Sequence, residues 1–257
     1  MLAAAGSPKV ILQMPRGNLE AFEPRPLIFL KAKKLIESNL LFSCLLLLRR
    51  QKVDLNYLID YNPNKFIDQI SNLVKESLDV NPELLSLLIS SLEPGDTTIS
   101  KYPSHRPIGA DVKYRENQLP QQDFYNGCNK VNIICTAVRD SLLTFLNGTQ
   151  GVEIPTALNP ILCTYAKQNP PLLEDALSLI RNQTQRSSDV PIPGVLKNST
   201  SQLASSKVQG AIKYLAFLAE GSALFDSALG CCDFDMARAV ARQCQMDPKA
   251  YLPLLKV

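Results

Sequence analysis

The side chains that could carry catalysis are few and lie far apart in the sequence. The 257 residues include one histidine, His105, together with seven cysteines and no tryptophan. A Cys–His or Ser–His nucleophile would have to use His105, and a histidine-rich metal site is impossible. The segment Tyr102–Pro107 brackets this histidine with prolines, so we expect a loop with a solvated imidazole. A Cys–His hydrolase stays open as an alternative, although no local signature supports it.

The cysteines lack the spacing of a zinc site or a disulfide framework. Their number is odd and no C-x-x-C pair occurs, which favours buried thiols in a reducing compartment. We interpret the vicinal pair Cys231-Cys232 as a corner between helices, with Asp233 capping the next helix. Motifs typical of phosphate binding, metalloproteases and nucleophile elbows are also missing from the sequence. We therefore predict that the chain is not an enzyme and has no catalytic residue, cofactor or metal.

Positive charge is concentrated near the beginning of the chain. The whole chain carries a net charge of +3, whereas residues 1–52 alone carry +6. Two clusters at predicted helix ends account for most of this excess and form our candidate contact site for RNA or an acidic protein: Lys31, Lys33, Lys34, Arg49, Arg50 and Lys52. Solvated helix ends, where positive charge suits the helix dipole, are the alternative interpretation.

Apolar side chains at helical spacing run through the sequence from Pro26 onward and predict many short helices. Helix starts are indicated by Asn62-Pro63, Asn81-Pro82, Asp233 and Asp247-Pro248, since these residues are typical caps. The run Leu40–Leu48 is apolar on every side, so we expect that helix to be buried between neighbours.

A single segment, Val10–Met14, alternates as a strand does. Because a lone strand is not stable, we expect its partner to lie outside the chain, which would then be part of a longer protein. The fold class predicted is all-α, an α-solenoid of tetratricopeptide-like helical repeats with a short N-terminal orphan β-strand. No strict sequence period is present, so this prediction depends on helix length and turn spacing.

Changes in composition divide the chain into six predicted segments. Helical blocks alternate with polar stretches that are rich in proline, glycine or serine. The segments are an N-terminal stretch with the strand at 1–24, a first helical block at 25–92, a long polar loop at 93–130, a second helical block at 131–184, a serine-rich linker at 185–206 and a third helical block at 207–257.

Several long motifs resemble one family, the largest, scaffold subunit of the Elongator complex. The first region comprises VILQMPRGNLE at Val10–Glu20, Arg25-Pro26-Leu27 and VDLNYLIDYNP at Val53–Pro63. The second, Asp226–Leu255, contains SALG and DFDMARAVARQCQMDPKAYLPLL. Similarity at Tyr102-Pro103 and Lys213–Leu218 lies between them in the same order.

The resemblance implies a non-catalytic scaffold. Family members are far longer: two WD40-type propellers precede a helical-repeat arm, so Val10–Glu20 would close the second propeller and the rest would begin the arm. The complex modifies carbon 5 of the wobble uridine (U34) of certain tRNAs. The chemistry belongs to a separate radical-SAM, acetyltransferase-like subunit, which the scaffold holds together with a second propeller subunit.

The resemblance further implies dimerisation and a basic tRNA contact, both through regions beyond Val257. We expect the chain to act in the cytoplasm, with the nucleus as an alternative compartment, and to have no membrane contact. An unrelated helical-repeat adaptor that mediates protein–protein interactions is the alternative function.

Overall fold

The computed structural model describes the backbone of residues 2–3, 8–105, 121–148, 154–189 and 197–255, and the side chains of 8–105, 123–146, 157–182 and 208–255. Helices make up most of these ranges, which confirms the all-α prediction. The chain packs into two units, residues 1–137 and 138–257. Each unit has its own buried apolar core.

A small antiparallel sheet precedes the helices. Its strands are β1 (Leu2–Ala3), β2 (Val10–Gln13) and β3 (Leu19–Phe22), in the order β1-β2-β3. Gly17, at φ 86°, lies in the turn between β2 and β3, a conformation that glycine adopts without strain. The prediction of an orphan strand was wrong, because β2 pairs on both sides within the chain. All four residues of β3 are exposed, and its sequence LEAF does not alternate polar and apolar side chains as a half-buried strand would.

The first unit continues as short helices around aliphatic side chains. Ile28, Leu45, Leu58, Leu73 and Leu85 are at most 2 % exposed. The helices are α1 (Arg25–Glu37), α2 (Leu41–Arg50), α3 (Asn56–Asp60), α4 (Pro63–Asp68), α5 (Ile70–Val80), α6 (Glu83–Ser90), α7 (Thr97–Ser100), a 3-10 turn (Pro103–His105), α8 (Gln121–Phe124) and α9 (Asn129–Gly148), whose later part belongs to the second unit.

The caps predicted for this unit are present. The Asn62 side chain accepts a hydrogen bond from the Lys65 amide at 3.1 Å, at the start of α4. Asn81 accepts one from the Glu83 amide at 3.0 Å, at the start of α6. Each bond satisfies an amide that the helix itself leaves without a partner.

A buried ion pair ties the segment after α6 to the first helical block. Lys130 Nζ lies 2.6 Å from Asp60 Oδ1, and both side chains are fully buried. Lys130 also donates to the Gly95 carbonyl at 2.9 Å. The Thr97 amide and hydroxyl donate to the other Asp60 oxygen at 2.9 and 2.7 Å, and the Tyr125 hydroxyl donates to Oδ1 at 3.1 Å. These bonds satisfy the buried charges and hold α7 against α3.

The stretch 93–130 therefore differs from the polar loop predicted for it. Residues 93–105 hold α7 and the 3-10 turn, and residues 121–130 hold α8 and the first residues of α9. Thr97, Tyr125 and Lys130 connect this stretch to the core by bonding to Asp60. Because these contacts are polar, hydrophobic periodicity does not reveal the helices. Residues 106–120 lie outside the described ranges.

The described part of the second unit packs six further helices around Leu162, Leu177, Leu215, Leu224 and Val240, which are at most 2 % exposed. Asp233 and Asp247 cap helices as predicted, with bonds from the Met236 and Lys249 amides at 3.0 and 2.9 Å. The elements are α10 (Ile154–Lys167), α11 (Leu173–Asp189), α12 (Lys197–Leu218), α13 (Gly221–Gly230), α14 (Phe234–Gln243) and α15 (Pro248–Tyr251).

One glycine in this unit allows a close approach. A Cβ at Gly221 would lie 3.0 Å from Cys244 Cβ and 3.1 Å from its sulfur. A methyl group at this first residue of α13 would therefore require the Cys244 side chain to shift by a few tenths of an ångström.

The serine-rich stretch 185–206 is helical at both described ends, unlike the predicted linker. α11 continues to Asp189 and α12 begins at Lys197. Serine lowers helix stability only slightly, whereas proline and glycine lower it strongly. The breakers Pro191, Pro193 and Gly194 all lie within residues 190–196, which are outside the described ranges.

Candidate interaction surface

An open groove lies between α1 and α2, which pack together as a helical hairpin. Their connection turns at Asn39, whose φ of 61° is a conformation that asparagine tolerates. The groove has a volume of about 710 Å³. We call it the α1–α2 groove, and it is lined by Lys31, Leu35, Ser43, Leu46, Leu47, Arg49 and Arg50.

The exposed side of α2 supplies most of the groove. Ser43, Leu46 and Arg50 follow one another at i, i+3 and i+7 and therefore lie on one face of the helix. Leu46 is 40 % exposed, whereas Leu45 and Leu48 are fully buried. The helix is buried between its neighbours α1, α3 and α5, as predicted. Leu46 lies on the side that they leave uncovered. The spacing of Ser43 and Arg50 around Leu46, which places two polar residues on the same helix face, was the sequence signal that could have revealed this exposed side.

The structure brings three of the six predicted cations together. Lys31 comes from α1, and Arg49 and Arg50 come from the last turn of α2; all three line the groove. Lys31 is half-buried, and both arginines are exposed. The groove thus collects positive charge from two helices that meet side by side.

The other three predicted cations do not line it. Lys33 lies 3.9 Å from Glu37 in an i,i+4 pair on α1. Lys34 is exposed near the end of the same helix. Lys52 is exposed in the turn after α2 and has a φ of 51°. The six predicted cations therefore divide into three that line the groove and three at separate positions.

Charge within the groove is weakly compensated. None of the described residues that line it is acidic. Arg50 lies 3.4 Å from Glu23, and its side chain is 62 % exposed, so solvent and salt screen this pair. Lys31 and Arg49 form no ion pair with any residue in the described ranges. The groove consequently presents a positive field above an apolar floor.

His105 occupies a packing position. Its ring stacks on Phe29 with centroids 4.2 Å apart, and Tyr102 and Tyr57 adjoin the same phenyl ring. The Tyr57 hydroxyl donates to the His105 carbonyl at 3.1 Å. The imidazole is half-buried in an aromatic cluster, so the prediction of a solvated loop histidine was wrong.

Four of the described cysteines have pKa values raised by burial, which is the opposite of what a nucleophile needs. Burial raises the pKa of Cys44 to about 12 and is the main cause that raises the pKa of Cys163 to about 11. Burial likewise raises the pKa of Cys231 and of Cys244. A nucleophilic cysteine needs a lowered pKa, so these four thiols stay protonated at neutral pH.

The described residues offer neither a metal site nor a membrane-spanning helix. No cluster of His, Cys, Asp and Glu in the described ranges could hold a metal ion. None of the helices described here combines the length and apolar character that crossing a membrane requires.

Comparison with known proteins gives a consistent set of similarities. The family model described as ELP1 alpha-solenoid matches residues 25–257. A putative elongator complex protein 1 of Xenopus laevis is 31 % identical over 249 residues, which cover 96 % of this chain and 18 % of that protein. Elongator complex protein 1 of Schizosaccharomyces pombe is 30 % identical over 246 residues, with coverage of 96 % and 17 %. The corresponding Saccharomyces cerevisiae protein is 30 % identical over 256 residues, with the same two coverages.

The chain therefore spans less than a fifth of the length of these relatives. The match to an alpha-solenoid family confirms the solenoid prediction. The colinear similarity over 96 % of the chain also confirms the resemblance drawn from the sequence motifs.

Proposed function

The chain belongs to the ELP1 alpha-solenoid family, and from that premise we propose that it serves as a non-catalytic scaffold segment of the Elongator complex. In this role its helical units position the subunit that carries out carbon-5 modification of the tRNA wobble uridine. The partners proposed are that radical-SAM, acetyltransferase-like subunit and the second propeller subunit. We place this activity in the cytoplasm.

One observation carries the proposal: the family match covers residues 25–257, which include every helix of both units. The chemistry of the described side chains agrees with a scaffold. Burial keeps the thiols of Cys44 and Cys163 protonated at neutral pH. The ring of His105 is stacked on Phe29 in an aromatic cluster. Family membership also removes the alternative of an unrelated helical-repeat adaptor.

Helical units of this kind suit scaffolding for a physical reason. Each helix pair buries its apolar face against its neighbours and leaves the outer faces available for contact. In the first unit, the buried Asp60–Lys130 pair links α3 to the start of α9. The outer faces of the helices in this unit are therefore supported by a packed and paired interior.

Affinity purification from cells of the source organism tests the proposal. The tagged chain is compared with a Leu45→Asp variant, which places a charge at a fully buried position of the first core. We expect mass spectrometry to recover the catalytic subunit and the second propeller subunit with the tagged chain and to lose them with the variant. Recovery of neither subunit, from a chain that circular dichroism shows to be folded, would contradict the scaffold function.

A further inference from the structure

We propose that the α1–α2 groove binds an acidic amphipathic helix of a partner protein. This proposal deepens the scaffold function and rests on it, since it assigns a surface and a ligand chemistry to the scaffold. The groove combines an aliphatic floor with a cationic rim, and each part restricts the class of ligand.

The leucines at the floor of the groove favour a partner with an apolar face. Leu35 of α1 and Leu46 and Leu47 of α2 line the groove, and Leu46 is 40 % exposed. Leu46 offers most of the apolar surface, because Leu35 is half-buried and Leu47 is 6 % exposed. A scattered exposed leucine needs no explanation, but this one shares a single groove with two more deeply placed leucines. Such a surface fits the apolar face of a helix that presents residues at i, i+3 and i+4.

The cations at the rim of the groove favour a partner that carries negative charge. Lys31 lies on one side of the groove, and Arg49 and Arg50 lie on the other. No lining residue in the described ranges is acidic, so carboxylates from a partner would meet cations on both sides. Ser43 and Arg50 are seven residues apart on α2, a rise of about 10 Å, which matches roughly two turns of a bound helix.

The same observations favour a protein over RNA. Proteins that bind unpaired bases stack them mainly on aromatic rings, whereas no aromatic side chain is among the described residues that line this groove and its floor consists of leucines. Leucine offers no stacking plane, and covering Leu46 with a phosphate backbone would leave the apolar surface without a partner. Cations alone would also attract RNA, so the experiment must separate the two ligands.

Site-specific photo-crosslinking in the assembled complex tests the proposal. The photoreactive residue p-benzoylphenylalanine replaces Ser43 in the groove, or Ser90 as a control, which is an exposed serine on α6. The tagged chain is irradiated in cells of its source, purified, and its adducts are identified by mass spectrometry. Two pairs of variants, made in the Ser43-labelled chain, test floor and rim separately.

The floor pair is Leu46→Asp and Leu87→Asp, because both leucines are 40 % exposed on helices but only Leu46 lines the groove. The rim pair is Arg49→Glu and Lys75→Glu, where Lys75 is an exposed cation on α5. We expect Leu46→Asp to lower the yield of the Ser43 adduct about tenfold. Arg49→Glu should lower it roughly two- to fivefold, more strongly at low salt. Neither control substitution should change it.

The identity of the adduct decides the outcome. A crosslinked peptide with net negative charge and apolar residues at i, i+3 or i+4 supports the proposal. An RNA adduct, a basic or uncharged peptide, or a yield at Ser43 no higher than at Ser90 would overturn it. If such a result comes from a chain that still copurifies with the other Elongator subunits, the groove proposal fails and the scaffold function stands. Loss of those subunits from the unsubstituted chain would mean that the scaffold function itself fails.

Discussion

Replacing Lys130 by methionine should destabilise the first unit strongly. The substitution keeps most of the side-chain volume and removes the ammonium group that lies 2.6 Å from Asp60 Oδ1 and 2.9 Å from the Gly95 carbonyl. Asp60 would retain its bonds from Thr97 and Tyr125 but lose the buried cation opposite its charge. The buried carboxylate would then lack charge compensation.

The expected loss follows from the complete burial of both side chains. Breaking a buried pair by removing one partner costs about 3–5 kcal/mol, because the remaining charge cannot be solvated. That range corresponds to roughly two to four orders of magnitude in the unfolding equilibrium. The matched control is Lys101→Met. Lys101 bridges Asp54 and Glu93 but is 41 % exposed, so its loss should cost less than about 1 kcal/mol.

The loss should also depend on pH in a defined direction. Burial raises the pKa of Asp60, while Lys130 and Thr97 oppose that rise. Removing Lys130 removes the largest opposing influence, so the pKa of Asp60 should rise further. A carboxyl group with a raised pKa in the folded state contributes stability that is present below its unfolded pKa, about 3.9, and is lost as pH rises through the folded pKa. The variant should therefore come closest to the parent chain near pH 4 and fall furthest behind it near pH 7.

Urea denaturation followed by circular dichroism, at several values of pH, measures this difference. A deficit below about 1 kcal/mol at pH 7, equal to that of Lys101→Met, would refute the reasoning. A large deficit that stays constant from pH 4 to pH 7 would show that lost packing, and not the uncompensated charge of Asp60, is responsible.

Three further predictions concern local features. Gly210→Ala on α12, with open space around it, should stabilise the chain by about 0.5–1 kcal/mol in thermal melts. Gly221→Ala should gain less than Gly210→Ala, because its Cβ would lie 3.0 Å from Cys244 Cβ and that side chain would have to shift. Equal effects of the two substitutions would contradict the packing argument. Iodoacetamide at pH 8 should modify the exposed Cys232 and spare Cys44, because Cys44 is buried and burial raises its pKa to about 12. Mass spectrometry measures the labelling, and prompt labelling of Cys44 would contradict its burial. Asn62→Ala should cost about 1 kcal/mol in urea denaturation through loss of the α4 cap, and an unchanged midpoint would show that the cap contributes nothing.

Local features were predictable from the sequence because their physical causes are local. The caps at Asn62, Asn81, Asp233 and Asp247 depend on a side chain and an amide two or three residues away. Apolar periodicity likewise depends on neighbouring turns of one helix. The all-α class and the helix starts follow from patterns of this kind.

Features that depend on distant residues were not predictable in the same way. The Asp60–Lys130 pair joins α3 to α9 and leaves no local pattern. β3 pairs with β2 although its four residues are all exposed. The charge clusters indicated the α1–α2 groove only in part, since its floor depends on which side of α2 stays uncovered. Sequence reasoning therefore named Lys31, Arg49 and Arg50 as candidate contact residues but did not name Leu46, which lines the same groove.

The central claim, that the chain is a scaffold and not a catalyst, is tested most directly by His105→Phe in the source organism. Phenylalanine preserves the stack on Phe29 and removes the only histidine of the chain. The account predicts unchanged copurification of the other Elongator subunits and an unchanged level of carbon-5-modified wobble uridine, measured by mass spectrometry of tRNA nucleosides. Loss of the modified uridine from a complex that still assembles would contradict it.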